Sequence, residues 1–317
     1  MPSMLHWREI RAGLLLAIAT VSTLGSQQVS DTLFVPSRGL TPWLRGEGPT
    51  LMLDEAHHNF HTVAGRYAPF ARLAHQAGFR VRAGTSPFTD SLLASVRVLV
   101  IANALHPSND GGQWALPTPS AFTPDEIGAV VRFVARGGGL LLVADHMPFG
   151  GAVEALGAAV GVQWLNGFAL DTLGAGLYTV RRPQGLRAHP VTDGVRRGDR
   201  VDSLKVFTGS ALRLLAPGDS LILLPDGYRV LLPDSAWRFS PRTPSVDGHG
   251  WLMGVTRRVG AGRVVALGEA AMLSAQWQGP ERRPLGFNDP AAPQNAQFAF
   301  SVIRWLSGRD DPPTRRR

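Results

Sequence analysis

The sequence predicts an α/β protein: a doubly wound, mainly parallel sheet with antiparallel elaboration in its C-terminal half. Three observations predict it. Short, continuous apolar runs recur as "TLML", "VRVLVIA", "GLLLVA" and "GRVVAL", the pattern of strands covered on both faces. Helical stretches separate the earlier runs, so strand and helix alternate. From about residue 162 to 258 the rhythm changes to short strands bounded by turn residues.

At the N-terminus, Arg8 and Arg11 precede the apolar run "AGLLLAIATVSTLG", and Gly25 and Ser26 follow it. This is the layout of an export signal. The run is shorter than the roughly 20 residues of a membrane span. Its cleavage site departs from A-x-A, which leaves an uncleaved anchor as the second reading. Residues 1–26 are thus expected to be a signal peptide or anchor, and the body periplasmic or extracellular. Residues 27–49 hold no sustained period and read as a linker before a single α/β domain over 50–308; residues 309–317 read as a disordered tail.

Within the domain, "TLMLDE" is a buried strand that ends in acids. Pro69 suits a first helical position and Gly78 a stop, so "APFARLAHQAG" is a helix. "FRVRAG" and "VRVLVIANA" are the next strands. In "TPDEIGAVVRFVARGGG", Thr123 is an N-cap, Pro124 opens the helix and Glu126 completes a capping box. Ile127, Val130, Val131 and Val134 then repeat at helical spacing. "GLLLVAD" is a strand and "AVEALGAAVG" a short helix. "GLYTVRRP", "DSLILLPDGYRVLLP" and "HGWLMGVTRRVG" are short strands, and "PDGY" signals a hairpin between two apolar runs. "GRVVALGE" returns to a buried strand. "NAQFAFSVIRWLSG" closes the domain as a helix with Phe298, Val302, Trp305 and Leu306 inward.

Composition excludes several chemistries. The 317 residues are 44% hydrophobic and 18% charged, enough for a folded core. The absence of cysteine rules out disulfides, thiolate metal sites, a cysteine nucleophile and a lipoprotein anchor. Net charge is +8, but the basic clusters "VRRGDR", "ERRP" and "TRRR" are short and not interleaved with aromatics. No nucleic-acid partner is expected.

Open α/β sheets bind ligands outside the carboxyl ends of their strands. Four apolar runs here deliver polar groups at that end: Asp54, Glu55, His57 and His58 with Asn59 and His61; Asn103 with His106; Asp145 with His146; and Glu269. Buried carboxylates are costly unless paired, so their convergence is informative. Imidazoles with carboxylates suit Zn²⁺ or another divalent ion; Asp54, His57, His61, Asp145, His146 and Glu269 form the ligand pool, with His57, His61, Asp145 and His146 as the expected set. Without a metal, Glu55 or Glu269 could act as general base, with Asp145 and His146 beside it. Asp54, His58, Asn59, Asn103 and His106 would then hold a ligand. Each group also has a structural reading, as a loop cap or a partner of its neighbours. No G-x-S-x-G elbow supports a serine nucleophile.

With these residues in place, "LMLDEAHHNFH", "VRVLVIANA", "FTPDEIGAVVRFVARGGGLLLVADH", "GAGRVVALGEAAML" and the closing helix make residues 48–308 resemble the class I glutamine-amidotransferase-like superfamily. The likeness is to its exported bacterial branches akin to gliding-motility and trehalose-utilisation domains. The resemblance implies a flavodoxin-like sheet. It also implies that the "ADHMPFGG" turn stands where true amidotransferases carry their cysteine, so glutaminase chemistry is excluded. Two functions follow as expectations. One is a module that binds a small polar molecule such as a saccharide, with Trp114, Trp164 and Trp277 as stacking surfaces. The other is a metal-dependent hydrolase.

Overall fold

The computed structural model describes residues 28–36, 43–44, 46–171, 176–196 and 198–308. The expected signal segment and tail lie outside the described residues. In chain order the first elements are β1 (Gln28–Ser30), β2 (Thr50–Asp54), α1 (Ala68–Gln76), β3 (Arg80–Gly84), α2 (Asp90–Leu93), β4 (Val98–Ala102), α3 (Pro124–Ala135), β5 (Gly139–Val143) and α4 (Phe149–Ala159). Next come β6 (Val162–Trp164), β7 (Phe168–Leu170), β8 (Tyr178–Arg181), α5 (Pro190–Asp193), β9 (Ser203–Val206), β10 (Leu212–Leu214), β11 (Asp219–Leu223), β12 (Arg229–Leu231) and β13 (Ser245–Asp247). The chain closes with β14 (Leu252–Val259), β15 (Gly262–Leu267), β16 (Ala275–Gln278), β17 (Arg283–Gly286) and α6 (Asn295–Leu306).

Five strands pair in parallel in the order β3-β2-β4-β5-β15. Numbered by their own succession they run 2-1-3-4-5, the flavodoxin order, which changes direction between β2 and β4. The antiparallel part begins at β14, which pairs with β15, β11 and β10, while β6 closes the edge. Smaller sheets, β7-β12-β13, β8-β9 and β1-β16-β17, lie around it.

The strand pleat sorts side chains onto two faces. Leu51 and Leu53 of β2 join Phe70 and Leu73 of α1 and Phe298 and Val302 of α6 in one core. Met52 joins Val130 and Phe133 of α3 and Val153 and Leu156 of α4 in the other. Helices thus cover both faces of the central strands, and the inward residues expected on α6 are buried. The α3 capping box forms as its sequence predicts: Thr123 and Glu126 satisfy each other's backbone N–H groups.

One local expectation is not met. The "PDGY" segment turns, with Tyr228 N donating to Pro225 O, but no hairpin forms. β11 pairs with β14, whereas β12 pairs with β7 and β13. The turn signal is local; the longer ladder on β14 takes the first strand away from its neighbour.

Candidate functional site

The carboxyl ends of β2, β4, β5 and β15 deliver Asp54, Asn103, Asp145 and Glu269 to one end of the sheet, as the alternation of the chain requires. All four are buried. Their surroundings divide them into two groups, one around His57 and one around Asp145.

The first group is centred on His57. Its Nδ1 lies 2.9 Å from both oxygens of Asp54, and its Nε2 lies 2.8 Å from Oε1 of Glu126 in the first turn of α3. Its ring packs on Phe88 and Phe122, on the α3 side of the sheet. Burial pulls the imidazole down. The hydrogen bond and charge of Asp54, then those of Glu126, outweigh it and leave His57 above its ordinary value of 6.5. Burial likewise pushes Glu126 up, but the Thr123 N–H, His57 and the Phe88 N–H bring it below its ordinary value. Asn59 locks the same loop: its amide donates to Asp54 Oδ2 at 3.0 Å and its Oδ1 accepts from His57 N at 3.1 Å. This is a closed polar network. A histidine whose two nitrogens both serve carboxylates has no lone pair for a metal.

His61, four residues on, has its ring 4.5 Å from that of Tyr67. Its Nδ1 is buried without a hydrogen-bond partner among the described residues. Burial, reinforced by the positive charge of Arg66, holds it well below 6.5. The i, i+4 histidines therefore pack against different neighbours, because a loop and not a helix carries them. Among the described residues no three His, Asp or Glu side chains converge to hold a metal ion. Among the described residues the expected ligand set of His57, His61, Asp145 and His146 is not brought together, so it does not form a site for Zn²⁺.

The second group is centred on Asp145. Its backbone N donates to Asn103 Oδ1 at 2.9 Å, and its Oδ1 accepts from His146 N at 2.9 Å. Asn103 reaches this position through a left-handed backbone (φ 50°), a conformation asparagine tolerates better than most residues. Glu269 accepts from the backbone N–H groups of Ala271 and Met272. Burial pushes both carboxyls up; Asp145's charge raises Glu269 further, to well above its ordinary value. Arg66 supplies the nearby positive charge, held by Gln276 and the Gln28 carbonyl. Its guanidinium lies 4.3 Å over the Phe60 ring.

His146 opens this group toward an aromatic surface. Its Nδ1 donates to the Met147 carbonyl at 2.7 Å. Its ring stacks on Phe168 at 4.6 Å and 10° and meets the Trp237 ring edge-on at 4.6 Å. Trp114 and Phe149 lie at 5.9 and 5.7 Å. Phe60 extends the cluster to Trp114 and Phe149. Trp237 holds a left-handed backbone (φ 64°), a conformation that costs energy in a bulky residue and concentrates at ligand sites.

The remaining expected residues lie apart. Glu55 accepts from Val63 N, which makes it a loop clasp and not a free base. His58 pairs with Asp110 at 2.7 Å on the surface. His106 caps a short turn through Ser108 N. Of the expected stacking residues, Trp164 is core, with its indole N–H on the Ala144 carbonyl. Trp277 lies under Arg282 on β16; only Trp114 joins the aromatic cluster. The sequence reading missed Arg66, Phe60, Phe168 and Trp237, and missed Glu126 as a partner of His57. Glu126 carried a signal in its capping box; Trp237 carried none.

No family model matches the chain, and no curated protein does. Among solved structures it is similar to the "mmIFT52 N-terminal domain", at 13% identity and a TM-score of 0.56, over 83% of this chain and 100% of that one. Putative ThuA-like proteins from Bacteroides uniformis and Parabacteroides merdae align less closely. The first is 12% identical, with a TM-score of 0.46, over 84% of this chain and 95% of its own. The second is 11% identical, with a TM-score of 0.45, over 84% and 94%. At such identity the likeness to the first structure concerns the fold alone, and the chain has a flavodoxin-like α/β fold.

Proposed function

We infer that the protein is a binding module of the class I glutamine-amidotransferase-like kind, without glutaminase chemistry. It takes a small polar ligand such as a saccharide at the carboxyl ends of the sheet strands. One contrast carries this reading. Asp54, His57, Asn59, Asn103 and Glu269 are engaged in internal hydrogen bonds, while Trp114 and Trp237 stand half-buried beside His146.

Small-ligand sites are mostly apolar and aromatic, with a few placed polar groups. A sugar ring offers C–H faces to such rings and hydroxyls to neighbours such as His146. The hydrolase reading has weaker support. Its ligands are dispersed, and Glu269 is 0% exposed, out of reach of a substrate. The exported placement drawn from residues 1–26 belongs to the same proposal.

The test is a fluorescence titration of the full chain with neutral mono- and disaccharides. The expected result is saturable quenching that Trp114→Ala removes. Failure of every sugar to quench, or release of hydrolysis products, would overturn the reading.

A further inference from the structure

A cleft of about 680 Å³ lies away from the strand ends, in the antiparallel part of the molecule. It is lined by Arg181, Arg182, Arg187 and Arg200, by Asp202, and by an apolar floor that includes Leu186. Four arginines line it against one acidic residue.

The arginines differ in how they are held. Arg182 is nearly buried and fixed: its Nε donates to the Val201 carbonyl at 2.9 Å, and its Nη2 pairs with Asp193 at 2.6 Å. Arg200 pairs with Asp202 at 2.7 Å. Arg181 and Arg187 make no ion pair among the described residues; the Arg187 guanidinium reaches the Pro183 carbonyl at 3.5 Å. Even with Asp193 counted, two cations remain uncompensated over a concave wall. The wall itself is anchored. Leu186 bridges to Ile222 of β11, and Arg187 N donates to the Leu221 carbonyl.

Like charges are not gathered in a cleft without cost, and guanidinium forks match the oxygens of phosphate. The volume is that of a small-molecule site. We propose that this cleft binds a small phosphate-bearing molecule with two or more negative charges. The phosphate lies between Arg181 and Arg187, and the apolar part of the molecule lies on Leu186. The site is independent of the aromatic surface around His146.

Inorganic pyrophosphate is the probe, titrated calorimetrically into the full chain at low and moderate salt. Wild type is expected to bind with a Kd below about 1 mM at low salt. The double variant Arg181→Ala/Arg187→Ala is expected to bind at least about tenfold more weakly, since charge-assisted hydrogen bonds are lost. Both side chains are exposed, so circular dichroism should stay unchanged. Arg229→Ala, on β12, is expected to bind like wild type. Equal binding by the double variant, no saturable binding by wild type, or tighter binding of single-stranded oligonucleotides in step with their length would overturn the proposal.

Discussion

Nε2 of His57 lies 2.8 Å from Oε1 of Glu126, tying the loop after β2 to the first turn of α3. Because Asp54 takes the other nitrogen, the ring when protonated is clamped between two buried carboxylates. Removing one member of such a set leaves buried charge unpaired. His57→Ala is expected to cost about 3–5 kcal/mol of unfolding free energy, read by urea denaturation. A cost no larger than that of an exposed substitution would contradict the clamp.

The clamp also sets a pH dependence. His57 is raised in the fold, so its contribution is complete below 6.5 and is lost as pH rises through its folded value. Glu126 is lowered, so its contribution is present above 4.5 and is lost as pH falls through its folded value. Both contributions are present between 4.5 and 6.5. Denaturation midpoints measured across that range and above it should fall on the alkaline side in wild type. The fall should be smaller in His57→Gln; parallel profiles would remove the assignment.

Glu269 has the opposite sign. Its carboxyl is raised by burial and by Asp145, so it weakens the fold as pH rises above 4.5. Glu269→Gln has two effects. The amide sets an N–H donor against backbone N–H donors, costing about 1–3 kcal/mol at every pH. It also removes the buried charge. The net cost should therefore be largest near pH 4.5 and shrink toward neutrality. Thermal unfolding at the two pH values decides this, and a cost that does not change with pH speaks against the buried pair.

His61 is held neutral by burial. Below 6.5 the unfolded chain takes up a proton that the fold refuses, so this residue removes stability as pH falls. His61→Phe deletes both that penalty and the unpartnered Nδ1. It should be close to neutral at pH 8 and should raise acid stability. Equal acid sensitivity of the two proteins would show that His61 is not the cause.

Much of this architecture was legible in the chain. The apolar runs of β2, β4, β5 and β15 mark strands covered on both faces, and Thr123 with Glu126 marks the start of α3. Alternation alone put Asp54, Asn103, Asp145 and Glu269 at one end. The rest depends on contacts distant in sequence. Nothing near Pro225 says that β11 will choose β14 over β12. Spacing cannot reveal that His57 packs on Phe88 and Phe122 while His61 packs on Tyr67, since that depends on the path of a loop. The clamp joins residues 69 apart, and Trp237 reaches His146 from the segment between β12 and β13, which has no periodic pattern.

We propose that the surface around His146 binds its ligand without transforming it. The direct measurement is calorimetric titration of neutral disaccharides into wild type, Trp114→Ala and Glu269→Gln, with each mixture then assayed for monosaccharide. Binding by wild type and Glu269→Gln, at least about tenfold weaker binding by Trp114→Ala, and no monosaccharide from any of the three is the predicted result. Monosaccharide released by wild type but not by Glu269→Gln would contradict it.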